Sequence, residues 1–342
     1  MGLVFCDGFD SYGATADLSR QWTVNSPWAW SSSAGRNGGG CIQCAPTGGQ
    51  PSIFGPLNQQ LSIASGTPAG LCFWIKISAK PSANNHFLFS LPGASSSNGL
   101  YVSATTGSVG LDGSGDVNLY GVGPTNICDN AWHWLEFYDI SQNNSTYKCF
   151  VDGIQQFNAS STTQSYTKTG LAFYALATNG TITIDDVIVF DNSSPGLQAS
   201  NIPIGAMTIT TKRPSSDSSV QFTPDSGGTN YNRVNEAAAD DDTSYVQDNT
   251  SGHADTYGYG ALGYNPSIIY AANVVSRFKN PGSGQISGKT RCISGGTTSD
   301  GTVTLAPASY QNMRTAYNQD PHTSANWTQT NLDAATFGIA VQ

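Results

Sequence analysis

Two glutamates stand among the 23 acidic residues of the chain, Glu136 and Glu236, and the other 21 are aspartates. Glycoside hydrolysis with retention needs two carboxyl groups about 5–5.5 Å apart, one as nucleophile and one as acid. Glu136-Phe137-Tyr138-Asp139 has the wrong spacing for that pair on one strand, and Glu236 lies in the other half of the chain. Asp185-Asp186 are neighbours, which on a regular strand point to opposite faces. The four histidines, His86, His133, His253 and His322, stand in no nucleophile motif, and no Gly-x-Ser-x-Gly elbow is present. Asp240-Asp241-Asp242 offers clustered carboxylates of the kind that bind Ca²⁺, without the Gly and distal Glu of an EF-hand; a solvated acidic loop or helix cap is the plainer reading. Gly35 to Gly40 lacks the Lys and the following helix of a phosphate cradle. Cys41-Ile42-Gln43-Cys44 has the spacing of half a zinc site, with no second pair to complete it. Seven cysteines leave at least one without an internal partner, so Cys41 and Cys44 are also candidates for a cross-link between subunits in oxidising surroundings. Trp28 and Trp30 lie in the Ser-rich stretch Asn25 to Ser33, where exposed indoles would form a platform for a sugar ring. The alternative is that both rings cap the core. No catalytic residue and no cofactor is expected, Ca²⁺ at the three aspartates aside.

The composition says what kind of scaffold must carry these residues. Charged residues make up 11% of the 342 residues and 38 residues are glycine, against about 25% and about 7% in average chains. Aspartate is a turn residue, and long helices need Glu, Lys, Ala and Leu in quantity. A helical bundle, a coiled coil and most α/β enzymes are therefore excluded. With 38% hydrophobic and 11% aromatic residues the chain has ample side chains to bury. The expectation is an all-β protein rich in turns. A formal net charge of −9 argues against nucleic acid or an anionic membrane as partner. No apolar run reaches the ~18 residues needed to span a bilayer, and the first residues lack the features of a signal peptide. Synthesis and assembly in a cytosol are expected.

Short runs rich in β-branched and aromatic residues, bounded by Gly, Asn, Ser or Pro, predict strands at Leu71–Ile77, His86–Leu91, Gly99–Ser103, Val117–Tyr120, Trp132–Ile140, Tyr147–Val151, Leu171–Leu176 and Thr181–Phe190. Asp152-Gly153 predicts a tight hairpin turn. A first domain over residues 1–192 is followed by a linker-like stretch, 193–206, and a second domain over 207–342. The second opens on a predicted strand, Met207–Thr211, with further strands within Ser267–Lys279 and Gly288–Ile293. Asn326–Asp333 reads as a capped short helix that leads into a last strand, Phe337–Val341.

Three segments of the first domain together resemble the concanavalin A-like, laminin-G-like jelly roll. They are the opening strand Leu3 to Asp10 with Trp22 after it, the pair Trp132–Phe137 and Tyr147–Gly153, and the strand Ile182–Asp191. Asp7-Gly8-Phe9-Asp10 followed by Trp22 and Gly35-Arg36-Asn37-Gly38-Gly39 is similar to a bacteriophage variant of that domain. In the second domain, Arg213-Pro214, Phe222-Thr223-Pro224, Asn230 to Glu236, Asp240 to Val246, Ser294 to Thr297 and Trp327 to Gly338 follow the order of a domain found in phage virion proteins. The resemblance implies two β-sandwich domains in a structural protein on the outer surface of a phage virion, assembled in the cytoplasm of the bacterial host. It implies other virion proteins, major capsid or tail proteins, as partners, a homo-oligomer with a trimer favoured, and host surface polysaccharide as a further partner. A capsid decoration or cement protein is the first expectation. A minor tail or tail-fibre component that binds host glycan is the second. A glycoside hydrolase, which the jelly roll also carries in laminarinase-type enzymes, is the third; the two lone glutamates speak against it.

Overall fold

The computed structural model describes residues 2–46, 51–56, 61–64, 67–82, 85–90, 99–113, 118–139, 146–160, 170–175, 180–191 and 202–342. The protein is all-β, with helix limited, among the described residues, to 3-10 turns and one six-residue α-helix, Gln329–Ala334. It divides into two compact units, Met1–Ile209 and Thr210–Gln342.

The strands of the first unit are β1 (Leu3–Asp7), β2 (Thr23–Val24), β3 (Ala29–Ser31), β4 (Cys41–Cys44), β5 (Ser52–Gly55), β6 (Ala69–Ile77), β7 (Asn85–Ser90), β8 (Gly99–Val102), β9 (Ser108–Gly113), β10 (Asn118–Asn126), β11 (His133–Asp139), β12 (Thr146–Val151), β13 (Ile154–Ser160), β14 (Leu171–Tyr174) and β15 (Ile182–Asp191). They form an eight-stranded sheet in the order β13-β12-β11-β6-β15-β4-β3, with β1 also on β15, and a seven-stranded sheet in the order β10-β9-β8-β7-β14-β5-β2. Alternation sorts each strand into two faces. Leu71, Phe73, Ile75 and Ile77 of β6 join Leu135 and Phe137 of β11 in the core, where they meet Ile53, Leu100, Val109 and Phe173 of the other sheet. The rings of Phe73 and Phe173 lie edge to face at 5.2 Å across the sandwich. The turn Asp152-Gly153 has φ of +51° and +78°, the left-handed pair that a two-residue hairpin demands. It joins β12 to β13 as expected.

The long β15 carries one irregularity. Its register against β6 shifts between Asp185 and Ile188, and Asp186 has a φ of +49°. This bulge overturns the expectation of opposite faces for the two aspartates. The extra residue turns both carboxyl groups toward Arg36: Asp185 accepts from its backbone N–H at 2.8 Å and Asp186 lies 3.7 Å from its guanidinium.

The end of the first unit also differs from a free linker. Residues 193–201 of the expected linker lie outside the described residues. Residues 202–209 run as an extended strap over the outward side of the eight-stranded sheet, pinned by Glu136, Trp74 and Asp186. Met207, Thr208 and Ile209 therefore pair with side chains of this unit, and no strand forms at Met207–Thr211.

The strands of the second unit are β16 (Pro214–Ser219), β17 (Thr223–Pro224), β18 (Val246–Gln247), β19 (Ala254–Tyr259), β20 (Ala272–Phe278), β21 (Ser287–Ser294), β22 (Thr297–Asp300), β23 (Thr304–Leu305), β24 (Gln311–Tyr317) and β25 (Thr336–Val341). The main sheet runs β16-β19-β25-β21-β22, with β23 also on β21, and β17-β18 and β20-β24 are separate two-stranded ladders. Its core gathers Val274, Cys292, Tyr317, Trp327, Ala335 and Phe337. Thr328 caps the short helix by accepting from Asn331 N–H, as Ser and Thr do at helix starts.

Candidate functional site

The outward side of the seven-stranded sheet is where the first unit presents aromatic rings beyond its core. Ile53 and Phe173 point inward, so their neighbours Phe54 and Tyr174 point outward. Ala172 is paired with Phe54 and Tyr174 with Ser52 across the β5–β14 ladder. The Phe54 and Tyr174 rings meet edge to face, 5.8 Å apart at 88°, and both are half-buried. Thr23, exposed, is paired with Phe54 on the other flank. Asn25 Nδ2 donates to Ser52 Oγ at 2.9 Å, which fixes a polar margin beside the rings. Tyr101 on β8 points to the same side and is buried over Gly110, where any β-carbon would lie 2.3 Å from its ring. An aromatic pair with hydroxyl and amide groups beside it suits the C–H and O–H groups of a sugar.

Sequence reasoning missed this patch for a physical reason. Ser52-Ile53-Phe54-Gly55 and Leu171-Ala172-Phe173-Tyr174 hold apolar residues at successive positions, so period-two alternation assigns them no face. Only the ladder that places Ile53 and Phe173 in the core shows which rings remain.

Of the two tryptophans chosen from sequence, Trp28 occupies another role. Trp28 is 2% exposed and donates from Nε1 to Pro51 O at 3.1 Å; its ring is part of the core, so it offers no face to a sugar. Trp30 on β3 is half-buried, donates from Nε1 to Phe9 O at 2.8 Å and packs on the margin of the same core. Trp28→Ala is expected to cost about 3–5 kcal/mol of stability, read as a lower denaturant midpoint.

Cys41 and Cys44 sit on β4, fully buried, with thiols pushed up to about 12 by burial. All seven cysteines are free and buried. A cross-link between subunits needs an accessible thiolate, which the folded unit withholds at both positions, so that expectation is corrected.

The carboxylates of Asp240-Asp241-Asp242 are likewise committed. Asp241 binds the Arg277 guanidinium at 2.5 and 2.9 Å, and Asp242 takes Lys279 Nζ at 2.5 Å and Tyr310 Oη at 3.1 Å. Asp240 accepts from Ser244 Oγ at 2.9 Å. With a cation of the chain already on two of the three, Ca²⁺ has no cluster of free oxygens to enter. Among the described residues no group of three or more His, Cys, Asp or Glu side chains could hold a metal ion.

The acid and base groups weighed for catalysis also have structural partners. Glu136 is fully buried and accepts from Ile204 N–H at 2.7 Å, Gly205 N–H at 3.1 Å and Tyr138 Oη. Glu236 accepts from Ser244 Oγ at 2.7 Å. His133 lies between Asp152 at 2.7 Å and Asp129 at 3.0 Å. Burial opposes its charge, yet the two carboxylates prevail and raise its pKa. His133 thus ties the hairpin turn to the loop before β11. The side chain of His86 lies outside the described residues.

No known protein family and no curated protein matches the chain in sequence. Among solved structures it is similar to the binding domain of Paraclostridial Mosquitocidal Protein 1, at 14% identity over 59% of this chain with a TM-score of 0.43. The carbohydrate esterase vb_24B_21 from Shiga toxin-encoding bacteriophage phi24B is 14% identical over 56% of this chain and 99% of its own, with a TM-score of 0.41. The Emp46p carbohydrate recognition domain is 11% identical over 55% of this chain and 96% of its own, with a TM-score of 0.39. The chain spans 51% of the mosquitocidal binding domain and 19% of a sialidase. These likenesses bear on the fold alone.

Proposed function

We propose that the chain is a non-catalytic protein of the outer surface of a bacteriophage particle, with a first unit of jelly-roll type that binds glycan. The observation that carries the binding role is the outward Phe54–Tyr174 pair with its Asn25–Ser52 margin. The absence of catalysis is supported by the commitment of Glu136 and Glu236 to hydrogen bonds within their own units. The place on a virion is supported by the succession of motifs from Arg213-Pro214 to Gly338 and by the Asp-Gly-Phe-Asp opening. A capsid decoration role is preferred to a minor tail role because the chain carries no long repetitive shaft.

The binding role is tested with purified chain on immobilised polysaccharide from host envelopes. Tyr174→Ala removes about 50–60 Å² of ring surface from a bound sugar. At about 25 cal/mol per Å² this is about 1.4 kcal/mol, a tenfold loss of affinity. Phe54→Ala is expected to act alike, and Trp30→Phe to bind as the wild type does. Equal binding by all three variants would remove the patch from consideration. Release of reducing sugar from the polysaccharide would contradict the non-catalytic reading. Copy number in purified virions separates the two locations: hundreds of copies fit decoration, a handful fit the tail.

A further inference from the structure

Three motifs that stand far apart in the chain meet at the end of the strap. They are Asp7-Gly8-Phe9-Asp10, Gly35-Arg36-Asn37-Gly38-Gly39-Gly40 and Asp185-Asp186. The loop at Gly35 folds onto the bulge of β15, so closely that a β-carbon on Gly35 would lie 2.9 Å from Asp185 Oδ2. Asp185 accepts from Arg36 N–H and from Asp186 N–H, both at 2.8 Å. Asp10 closes the loop at its other end by accepting from Gly40 N–H at 2.8 Å. Arg36 is thereby held with its guanidinium 4.4 Å from the centre of the Trp74 ring and 3.7 Å from the Asp186 carboxyl.

What this assembly grips is Met207–Ile209. Arg36 donates to Thr208 Oγ1, Trp74 Nε1 donates to Met207 O at 2.8 Å, and Asp186 accepts from Ile209 N–H at 3.0 Å. The Ile209 side chain lies against Gly8, where a β-carbon would come within 3.0 Å of Ile209 Cγ2 and 3.4 Å of Asp186 Oδ1. Glycine at position 8 thus lets Ile209 settle beside the Asp186 carboxyl, which is buried. The charges around that carboxyl do not balance. Asp186 faces Asp185 on its own strand, Asp10 on the loop after β1 and Arg36 on the loop before β4. Lys76 on β6 lies over the Trp132 ring instead, Asp7 takes the Trp22 and Tyr12 donors, and burial pushes the Cys41 thiol up to about 12, so it is neutral. Among the described residues three carboxyl groups therefore share one guanidinium. A buried carboxylate without a cation of its own is costly, whereas the protonated acid is not. Burial accordingly raises both members of the Asp185-Asp186 pair above the ordinary range, and the charge of Asp185 adds to the effect at Asp186.

We propose that the three motifs form a proton-operated latch, which grips Met207–Ile209 while Asp186 holds a proton and releases them when that proton leaves. The latch decides where the first unit lets go of the chain. Closed, it holds the chain as far as Ile209, and the second unit begins at Thr210. Open, it turns Met207–Ile209 into free chain between the units. Lifting Ile209 returns Asp186 to water, where it titrates as an ordinary carboxyl. The closed state therefore binds more protons than the open one, and a rise in pH favours opening, by up to about tenfold per pH unit between the two titration limits. Glu136 grips the strap separately, at Ile204 and Gly205, so the two ends can part company.

The test is hydrogen exchange in the full chain at pH 5 and pH 8, with each amide expressed as protection relative to the free-peptide rate at the same pH. Protection of the Ile209 amide is expected to fall by at least about tenfold between the two, and that of the Ile204 and Gly205 amides by clearly less. Asp186→Asn cannot ionise and still offers Oδ1 to Ile209 N–H, so it is expected to keep its pH 5 protection at pH 8. Should that variant fail to fold, Ile209→Ala uncovers the carboxyl. It is expected to lower protection at residue 209 already at pH 5 and to shrink the change between the two pH values to less than about threefold. Equal protection of the wild-type Ile209 amide at both pH values overturns the proposal. So does a fall of the same size at Ile204 and Gly205, which would belong to the whole strap. A folded Asp186→Asn or Ile209→Ala variant with the full wild-type change overturns it as well.

Discussion

Glu136→Ala is expected to release residues 202–209 from the first unit while leaving the sandwich folded. The side chain points outward from β11, yet it is fully buried because the strap lies over it. It accepts three hydrogen bonds, from the N–H groups of Ile204 and Gly205 and from Tyr138 Oη. Burial also holds the Tyr138 hydroxyl far above its ordinary pKa, so it stays a donor. Truncation leaves Gly205 N–H and the Tyr138 hydroxyl without this acceptor and Ile204 N–H with only its longer bond to Tyr138 Oη at 3.2 Å, and each group left unpaired costs about 1–3 kcal/mol. The strap can recover that cost by lifting into water, whereas the strands beneath cannot. Local opening is therefore favoured by on the order of 3 kcal/mol, roughly a hundredfold in the open population. Hydrogen exchange at the amides of Ile204 and Gly205 should rise by that factor, and proteolysis between Ile202 and Ile209 should accelerate with it. Exchange at core amides such as Phe73 should change little. If both strap amides stayed as protected as in the wild type, the remaining contacts would be the effective clamp. These are Trp74 Nε1 on Met207 O at 2.8 Å, Arg36 on Thr208, and Ile209 N–H on Asp186 at 3.0 Å.

That clamp shows how far the residues alone could be read. The low charge, the excess of Asp over Glu and the short aromatic runs led to an all-β chain, and the strands near Leu71–Ile77, Tyr147–Val151 and Thr181–Phe190 stand within two residues of their expected bounds. They were legible because their alternation matches one buried face. The bulge at Asp185-Asp186 was not, since a single extra residue leaves no mark in a ten-residue strand sequence and only the pairing with β6 exposes it. Residues 202–206 were read as linker because of their composition, and Met207–Ile209 as the start of a strand. What holds the strap is the backbone N–H and C=O that every sequence supplies, together with partners far away in the chain. The same reasoning explains the candidate site. Trp28 and Trp30 drew attention by residue type, but a Ser-rich setting does not reveal that Pro51 O and Phe9 O accept from both indoles. Phe54 and Tyr174 were hidden among apolar residues at successive positions.

The strap carries a second consequence, in the dependence of stability on pH. Burial pushes the Asp185 carboxyl up to about 6, and burial together with the charge of Asp185 pushes Asp186 up to about 7. Both would titrate near 3.8 in an unfolded chain. Between those limits the folded protein holds protons that the unfolded chain has released, so stability is greatest near pH 4 and falls as pH rises toward 7. The contribution of Asp186 alone is on the order of 4 kcal/mol across that window. His133, raised as well, acts in the same sense at somewhat higher pH. Asp300, held low by Arg291, and Asp129, held low by His133, act in the opposite sense, and only as pH falls below about 4. Asp186→Asn separates the terms. An amide cannot ionise, yet its Oδ1 can still accept from Ile209 N–H as Asp186 does at 3.0 Å. The variant should match the wild type at pH 4 and exceed it at pH 8 by about 5–10 °C in Tm, with a flatter profile between. The groups facing this position, Arg36, Asp10 and Asp185, are unchanged in the variant, so the difference belongs to Asp186. A variant less stable than the wild type at pH 8 would mean that the Arg36 guanidinium 3.7 Å away outweighs burial and that the carboxylate is needed in its charged form.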